Sequence, residues 1–136
     1  MYLLDTNVIS ELRKTKPHGD VVSWLKQLDN RDICLSAMVV GEVQAGIELT
    51  RRQDADKARE IESWLSQVVA TYQILPLDGE VCREWARLID RRSKALTEDA
   101  LIAATAKVHG FTLATRNVRD FQGWGLNLFN PFTFAG

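Results

Sequence analysis

Short apolar runs alternate with longer amphipathic segments along the whole chain, and this alternation constrains the fold more than any other feature. Strands are predicted over residues 1–4, 32–35, 73–75 and 111–114, with one more short strand over 126–128. The segments between them carry apolar residues at helical spacing. Strands joined by helices favour a parallel sheet that is covered on both faces. The sequence therefore predicts an α/β fold in the form of a small sandwich.

Polar residues that can cap a helix stand before the predicted helices. Thr6 or Asn7 is expected to cap a helix over 8–14, and Asp20 is expected to cap a helix over 21–28. Later caps are expected at Ser36 for 37–51, Asp54 for a helix to about 70, Asp78 for the next helix and Thr97 for 98–109. Gly110 then stands where a helix end needs a left-handed residue.

Length and composition place the chain among ordinary globular proteins. Its 136 residues, 46% hydrophobic and 26% charged, fit one domain over 1–136 without repeats or linkers. No apolar run approaches the roughly 20 residues of a membrane span, and the first apolar stretch meets Asp5 too early for a secretory signal. Cys34 and Cys82 are far apart, and both are expected to be buried free thiols. A cytoplasmic protein without a membrane partner is expected.

The charge balance limits how this chain can contact nucleic acid. Seventeen Lys and Arg residues stand against eighteen Asp and Glu residues, for a formal net charge of −1. The net charge therefore gives no bulk electrostatic reason to expect binding of nucleic acid, and any such binding has to depend on local charge.

Four carboxylates stand where the predicted fold would bring them to one edge of the sheet. Asp5 follows the first strand, Glu42 lies in the helix after the second, and Asp120 lies beyond the fourth. Asp99 lies in the first turn of a helix built of small and apolar residues. Ligands of open parallel sheets bind beyond the carboxyl ends of the strands, and converging carboxylates need a cation to offset their repulsion.

An oxygen-only set of ligands suits Mg²⁺ or Mn²⁺, and such ions support phosphoryl transfer by activating water. Each carboxylate also has a simpler explanation. Asp5 fits a helix cap, Glu42 the polar edge of a helix, Asp99 a favourable interaction with the helix dipole, and Asp120 an ordinary turn.

Four blocks of this sequence together resemble the PIN-domain ribonucleases. These blocks are Leu3-Leu4-Asp5-Thr6-Asn7, Glu42 in a mid-chain helix, 99–104 and 115–121. Their order and spacing match over the whole chain, down to the Asn130-Pro131-Phe132 tail. The sequence is most similar to the VapC toxins of type II toxin–antitoxin pairs, in particular to their FitB-like branch.

This resemblance implies a three-layer α/β/α PIN domain with a small, mainly parallel central sheet. It also implies an endoribonuclease that depends on Mg²⁺ or Mn²⁺ and hydrolyses phosphodiester bonds of RNA with a metal-activated water. Asp5 and Asp99 would be the main metal ligands, and Glu42 and Asp120 would bind a second ion or metal-bound water. All four would be catalytic.

The resemblance assigns supporting roles to three further residues. Thr6 would orient Asp5 through its hydroxyl, Asn117 would support Asp120, and Arg116 would contact a substrate phosphate. Glu98, next to Asp99, is left as an outer carboxylate. The implied partners are a second copy of the chain and a VapB-like antitoxin, in a heterotetramer or larger assembly that reaches operator DNA only through the antitoxin.

Two other functions remain open from the residues alone. A PIN-like module that binds partners without catalysis would keep the carboxylates as a scaffold. A signalling domain that accepts phosphate on Asp5 is the second, although Asn7 occupies the position where a D-x-D pair would need its second aspartate.

Overall fold

Five parallel strands form the central sheet of the computed structural model, which describes residues 1–90 and 97–135. The strands are β1 (Tyr2–Leu4), β2 (Ile33–Ser36), β3 (Gln73–Leu75), β4 (Thr112–Ala114) and β5 (Leu128–Phe129). Their order is β3-β2-β1-β4-β5, and each neighbouring pair is parallel. The predicted parallel α/β sheet is confirmed.

Helices connect these strands. They are α1 (Thr6–Ile9), α2 (Gly19–Leu25), α3 (Ala37–Arg51), α4 (Ala55–Thr71), α5 (Gly79–Ile89) and α6 (Thr97–His109). The predicted caps Ser36, Asp54 and Asp78 are confirmed, because each side chain accepts a backbone N–H of the helix that follows. Gly110 has the predicted positive φ, 70°. No helix in the described ranges is long and apolar enough to cross a membrane.

The first two helix starts differ from the sequence prediction. Asp5, and not Thr6 or Asn7, caps α1, because the chain is still extended at Asp5 (ψ 162°) and its carboxylate accepts the Thr6 amide. After Ile9 the helix tightens into a 3₁₀ turn over Ser10–Arg13, where the predicted helix continued to residue 14.

The second helix and the last strand are also displaced from their predicted positions. The prediction that Asp20 caps α2 is wrong, since the ring nitrogen Nδ1 of His18 accepts the Asp20 amide and the helix ends at Leu25. β5 covers Leu128–Phe129 and not 126–128. Cys34 is buried as expected, whereas Cys82 is exposed on α5.

Apolar residues cover both faces of the central strands. All four residues of β2 are buried, although neighbouring side chains of a strand point to opposite faces. The chain steps from β1 to β2 and β3 in one direction, then returns to β4 and β5 on the other side of β1. Right-handed crossovers in opposite directions place their helices on opposite faces, which gives the three layers.

Strand order also fixes where a ligand would bind. Successive strands are added on one side of β1 up to β3 and on its other side from β4 onwards, while β1 and β4 themselves are parallel. The helices that leave β1 and β4 therefore diverge and open a crevice at the carboxyl ends of these strands. The residues that follow β1 and β4, beginning at Asp5 and Thr115, lie at this crevice.

Candidate active site

Asp5 lies at the carboxyl end of β1, in the crevice between β1 and β4. Its backbone N–H donates to the carbonyl oxygen of Ala114 at 2.9 Å, which extends the pairing of β1 with β4 by one step. The residue is only 5% exposed. A carboxylate in such a position needs hydrogen-bond donors or a cation to remain ionised.

Three hydrogen bonds fix the Asp5 carboxylate. Oδ1 accepts the Thr6 amide at 2.8 Å, while Oδ2 accepts the Thr115 hydroxyl at 2.7 Å and the Asn7 side-chain amide at 3.3 Å. Burial raises the pKa of Asp5, the three bonds act to lower it, and the charge of Asp120 raises it further. The net effect is a raised pKa, because burial outweighs the hydrogen bonds.

Thr6 connects Asp5 to Glu42 in a way that differs from the prediction. Its hydroxyl was expected to orient Asp5, but the backbone amide makes that contact and the hydroxyl donates to Glu42 Oε1 at 3.1 Å. Thr6 begins α1, so its amide has no acceptor within the helix and donates to Asp5 instead. Its hydroxyl can therefore donate to Glu42 on α3. Burial is the main cause of the raised pKa of Glu42, and the charges of Asp5 and Asp99 add to it.

The pKa of Asp99 is strongly raised. It lies in the first turn of α6, where a helix dipole favours a negative charge by typically about 0.3–1 kcal/mol. Burial, followed by the charges of Asp5, Asp120 and Glu98, nevertheless raises its pKa to about 6. Desolvation and repulsion therefore outweigh the dipole at this position.

Asp120 lies on the more open side of the crevice. It is exposed in the 3₁₀ turn over Val118–Phe121, and its amide donates to the Asn117 carbonyl oxygen at 3.0 Å. Its charge contributes to the raised pKa of both Asp5 and Asp99. We call Asp5, Glu42, Asp99 and Asp120 the acidic set.

The loop after β4 carries the remaining predicted residues. Asn117 is exposed, and its amide donates to the Thr115 hydroxyl at 3.0 Å. Arg116 is exposed as well, and its amide donates to Asn7 Oδ1 at 3.1 Å. The guanidinium of Arg116 lies over the ring of Phe132, with 4.6 Å from Cζ to the ring centroid.

The members of the acidic set are close enough for their charges to interact, but they do not form a ready-made chelate. In the described part of the chain, no three His, Cys, Asp or Glu side chains lie together as ligands of one ion. The donors are all carboxylate oxygens. Burial and mutual repulsion raise the pKa of Asp5, Glu42 and Asp99, and a divalent cation would offset both effects. Mg²⁺ commonly takes one or two carboxylates and keeps several waters, so the donor set fits such an ion.

Two residues that contact Asp5 were not among the predicted site residues. Thr115 is fully buried and both donates to Asp5 and accepts from Asn117, and Asn7 links Asp5 to the Arg116 backbone. The available signal was their position, since each lies within three residues of the end of a strand. Only the pairing of Leu4 with Ala114 brings them together.

Comparison with known proteins identifies the family. Residues 2–122 match the PIN domain. The chain is 37% identical to Toxin FitB of Neisseria gonorrhoeae, over 97% of this chain and 99% of that protein. It is 36% identical to VapC ribonuclease Y4jK of Sinorhizobium fredii, over 97% and 98%.

Solved structures agree with this result. The crystal structure of FitAcB from Neisseria gonorrhoeae aligns with a TM-score of 0.88 at 35% identity, covering 98% of this chain and all of that chain (100%). A structure of FitAB bound to the IR36 DNA fragment aligns with a TM-score of 0.86 at 34% identity, covering 100% and 99%. The chain therefore belongs to the PIN domain family.

Proposed function

We propose that this protein is a metal-dependent endoribonuclease and the toxin of a type II toxin–antitoxin pair, formed by one PIN domain over residues 1–136. The acidic set carries the proposal. Burial and repulsion raise the pKa of three of its members, Asp5, Glu42 and Asp99, at the edge of the sheet where open parallel sheets bind ligands. Full-length similarity to relatives named as a toxin and as a ribonuclease supports the same activity.

Mg²⁺ or Mn²⁺ is the proposed cofactor, held by Asp5 and Asp99 with Glu42 and Asp120 as further ligands or as acceptors for coordinated water. When bound, such an ion lowers the pKa of water and stabilises negative charge on a phosphate. Thr115, Thr6 and Asn7 hold the Asp5 carboxylate in one orientation before any ion binds. Preorganised ligands of this kind lower the cost of ordering the site.

The residues of the chain also account for how RNA would approach an acidic crevice. With a net charge of −1, the protein as a whole does not attract a polyanion. Arg116 and Arg119 are exposed on the loop and turn that carry Asp120, so positive charge is available beside the proposed site. Local charge and a bound cation would together offset repulsion between the acidic set and the phosphate.

A partner that covers the crevice is part of the proposal. A nuclease that cuts cellular RNA harms its own cell, so its activity in the cytoplasm requires a cognate antitoxin of the VapB type. We propose a homodimer of this chain in a heterotetramer or larger complex with that antitoxin. The FitAB structure with a DNA fragment supports contact with operator DNA in such a complex, and we assign that contact to the antitoxin.

Cleavage of total cellular RNA tests the activity. Purified protein, freed of antitoxin, is incubated with Mg²⁺, Mn²⁺ or EDTA, and the fragments are mapped by sequencing. We expect discrete fragments that require metal and disappear with Asp5→Asn or Asp99→Asn. Glu80→Gln is the matched control, because Glu80 is an exposed acid in the first turn of α5 and lies outside the acidic set.

Three results would contradict the proposal. Full cleavage by Asp5→Asn would show that Asp5 is not a catalytic residue. Cleavage in EDTA would show that the activity does not need a metal ion. Absence of cleavage by folded protein would favour a PIN-like module that binds partners without catalysis.

A further inference from the structure

The Arg116 side chain extends from the loop that follows β4 and lies over an aromatic ring. Its Cζ atom lies 4.6 Å from the centroid of the Phe132 ring. Among residues 1–90 and 97–135, no Asp or Glu forms a salt bridge with it. The residue is exposed even though its guanidinium lies over Phe132.

The aromatic ring under Arg116 is itself fixed. Phe132 is 7% exposed and lies in the 3₁₀ turn Pro131–Thr133, where its amide donates to Asn130 Oδ1 at 2.9 Å. The ring of His18, the cap of α2, contacts Phe132 edge-on at 5.1 Å between centroids. A ring held by two elements gives the guanidinium a defined surface to lie on.

The backbone of Arg116 is also tied to the proposed catalytic centre. Its amide donates to Asn7 Oδ1 at 3.1 Å, and the Asn7 side-chain amide donates to Asp5 Oδ2 at 3.3 Å. One side chain therefore connects Arg116 to the buried carboxylate. The Arg116 side chain therefore extends from a backbone position that only the Asn7 side chain separates from Asp5.

We propose that Arg116, supported by Phe132, is a stacking site for one unpaired base of the substrate RNA, next to the scissile phosphate. The inference depends on the proposed ribonuclease function and adds the form of RNA that the site accepts. Unpaired bases are recognised by stacking on aromatic rings or on guanidinium planes. In this site Phe132 is a positioning residue, and Arg116 is the residue that touches the substrate.

Stacking accounts for this arrangement better than a simple phosphate contact does. A phosphate is bound well by any positive charge, including the flexible ammonium of lysine. Such a contact does not require an aromatic ring beneath the side chain. A planar cation backed by a ring instead presents a flat, open face, which suits the flat face of a base.

Arg116→Lys separates the two interpretations, because it keeps the charge and removes the plane. The probe is a short fluorescein-labelled single-stranded RNA that spans the cleavage site mapped from total RNA. In a series of such RNAs, one nucleotide at a time lacks its base. Binding is measured by fluorescence anisotropy in Ca²⁺, and a gel run afterwards shows whether the RNA remained intact.

For the wild-type protein, we expect one abasic position beside the cleavage site to weaken binding about 10-fold, the usual effect of losing one stacked base. Arg116→Lys should bind the complete RNA about 10-fold more weakly and should no longer respond to that abasic position. Phe132→Leu should likewise reduce the loss of binding that this abasic position causes. Arg119→Lys changes another exposed arginine and should leave that loss of binding unchanged.

An abasic response that is the same in Arg116→Lys and in the wild type would overturn the stacking site, and so would an equal effect of Arg119→Lys. Arg116→Lys remains informative if Phe132→Leu fails to fold. RNA that is cut with metal but shows no sensitive position would refute the stacking site alone. RNA that is neither cut nor bound would refute the proposed function as well.

Discussion

Replacing Asp99 with asparagine should stabilise the metal-free protein at neutral pH. The pKa of this carboxyl is raised from 3.8 to about 6 by burial and by the charges of Asp5, Asp120 and Glu98. Between these two pH values the folded protein binds more protons than the unfolded chain does. The free energy of unfolding therefore falls as the pH rises through this range. Above pH 6 the folded protein bears the full destabilisation from the ionised Asp99 carboxylate.

The size of the effect follows from the change in pKa. A rise from 3.8 to about 6 corresponds to about 3 kcal/mol at neutral pH. Asp99 is only partly buried, so screening by solvent reduces this to an expected gain of about 1–2 kcal/mol for Asp99→Asn. The gain should shrink as the pH falls from 6 towards 3.8, because the carboxyl is neutral in both states only below that value.

Urea unfolding in EDTA at pH 5 and pH 7.5 measures this difference. Fluorescence reports unfolding directly, because Trp24 and Trp124 are buried in the core. Glu80→Gln serves as the control, since it also removes an acid from the first turn of a helix but from an exposed position. Equal stability of the wild type and Asp99→Asn at pH 7.5, or an equal gain in the control, would refute the electrostatic argument.

Three further substitutions test other contacts. Thr115→Val removes the hydroxyl that donates to Asp5 at 2.7 Å, and we expect the free energy of unfolding to fall by about 1–3 kcal/mol. Calorimetry should also show weaker Mn²⁺ binding, and Thr115→Ser should restore both properties. Gly46→Ala should raise the unfolding free energy by about 0.5–1 kcal/mol, since an added Cβ meets nothing within 4 Å on α3, and a loss would contradict this. Burial acts to raise the pKa of Glu11, but bonds from Lys14 and the His18 amide lower it overall from 4.5. Glu11→Gln should therefore be less stable than the wild type at pH 7, by about 1 kcal/mol or more, and the difference should fade as the pH falls below 4.5.

Elements with strong local signals were predicted with correct boundaries. The strand Gln73–Leu75 and the helix Ala37–Arg51, with Ser36 as its cap, lie where the sequence places them. An apolar run between polar residues, and a serine before a helical pattern, depend only on nearby residues. The parallel sheet followed from the alternation of such elements.

Contacts that depend on strand order were not predictable from one sequence. The donor to Asp5 from Thr115 and the bridge through Asn7 both require that β1 lies beside β4. Alternation of strands and helices is equally compatible with other orders. For the same reason the bond from the Thr6 hydroxyl to Glu42 was missed, since it depends on how α3 packs against α1.

The pairing of the first strand with the fourth sets when the protein can first act during its own synthesis. Thr115 donates to Asp5 across 110 residues of chain, so the two meet only after nearly all of the domain has left the ribosome. Contacts over such long separations form late in folding. A nascent chain of about 90 residues already contains Asp5 and Glu42 but lacks Asp99, Asp120 and β4. For the nuclease proposed above, the ribosome and the RNA around it are therefore not exposed to a working site until Asp99, β4 and Asp120 have been synthesised.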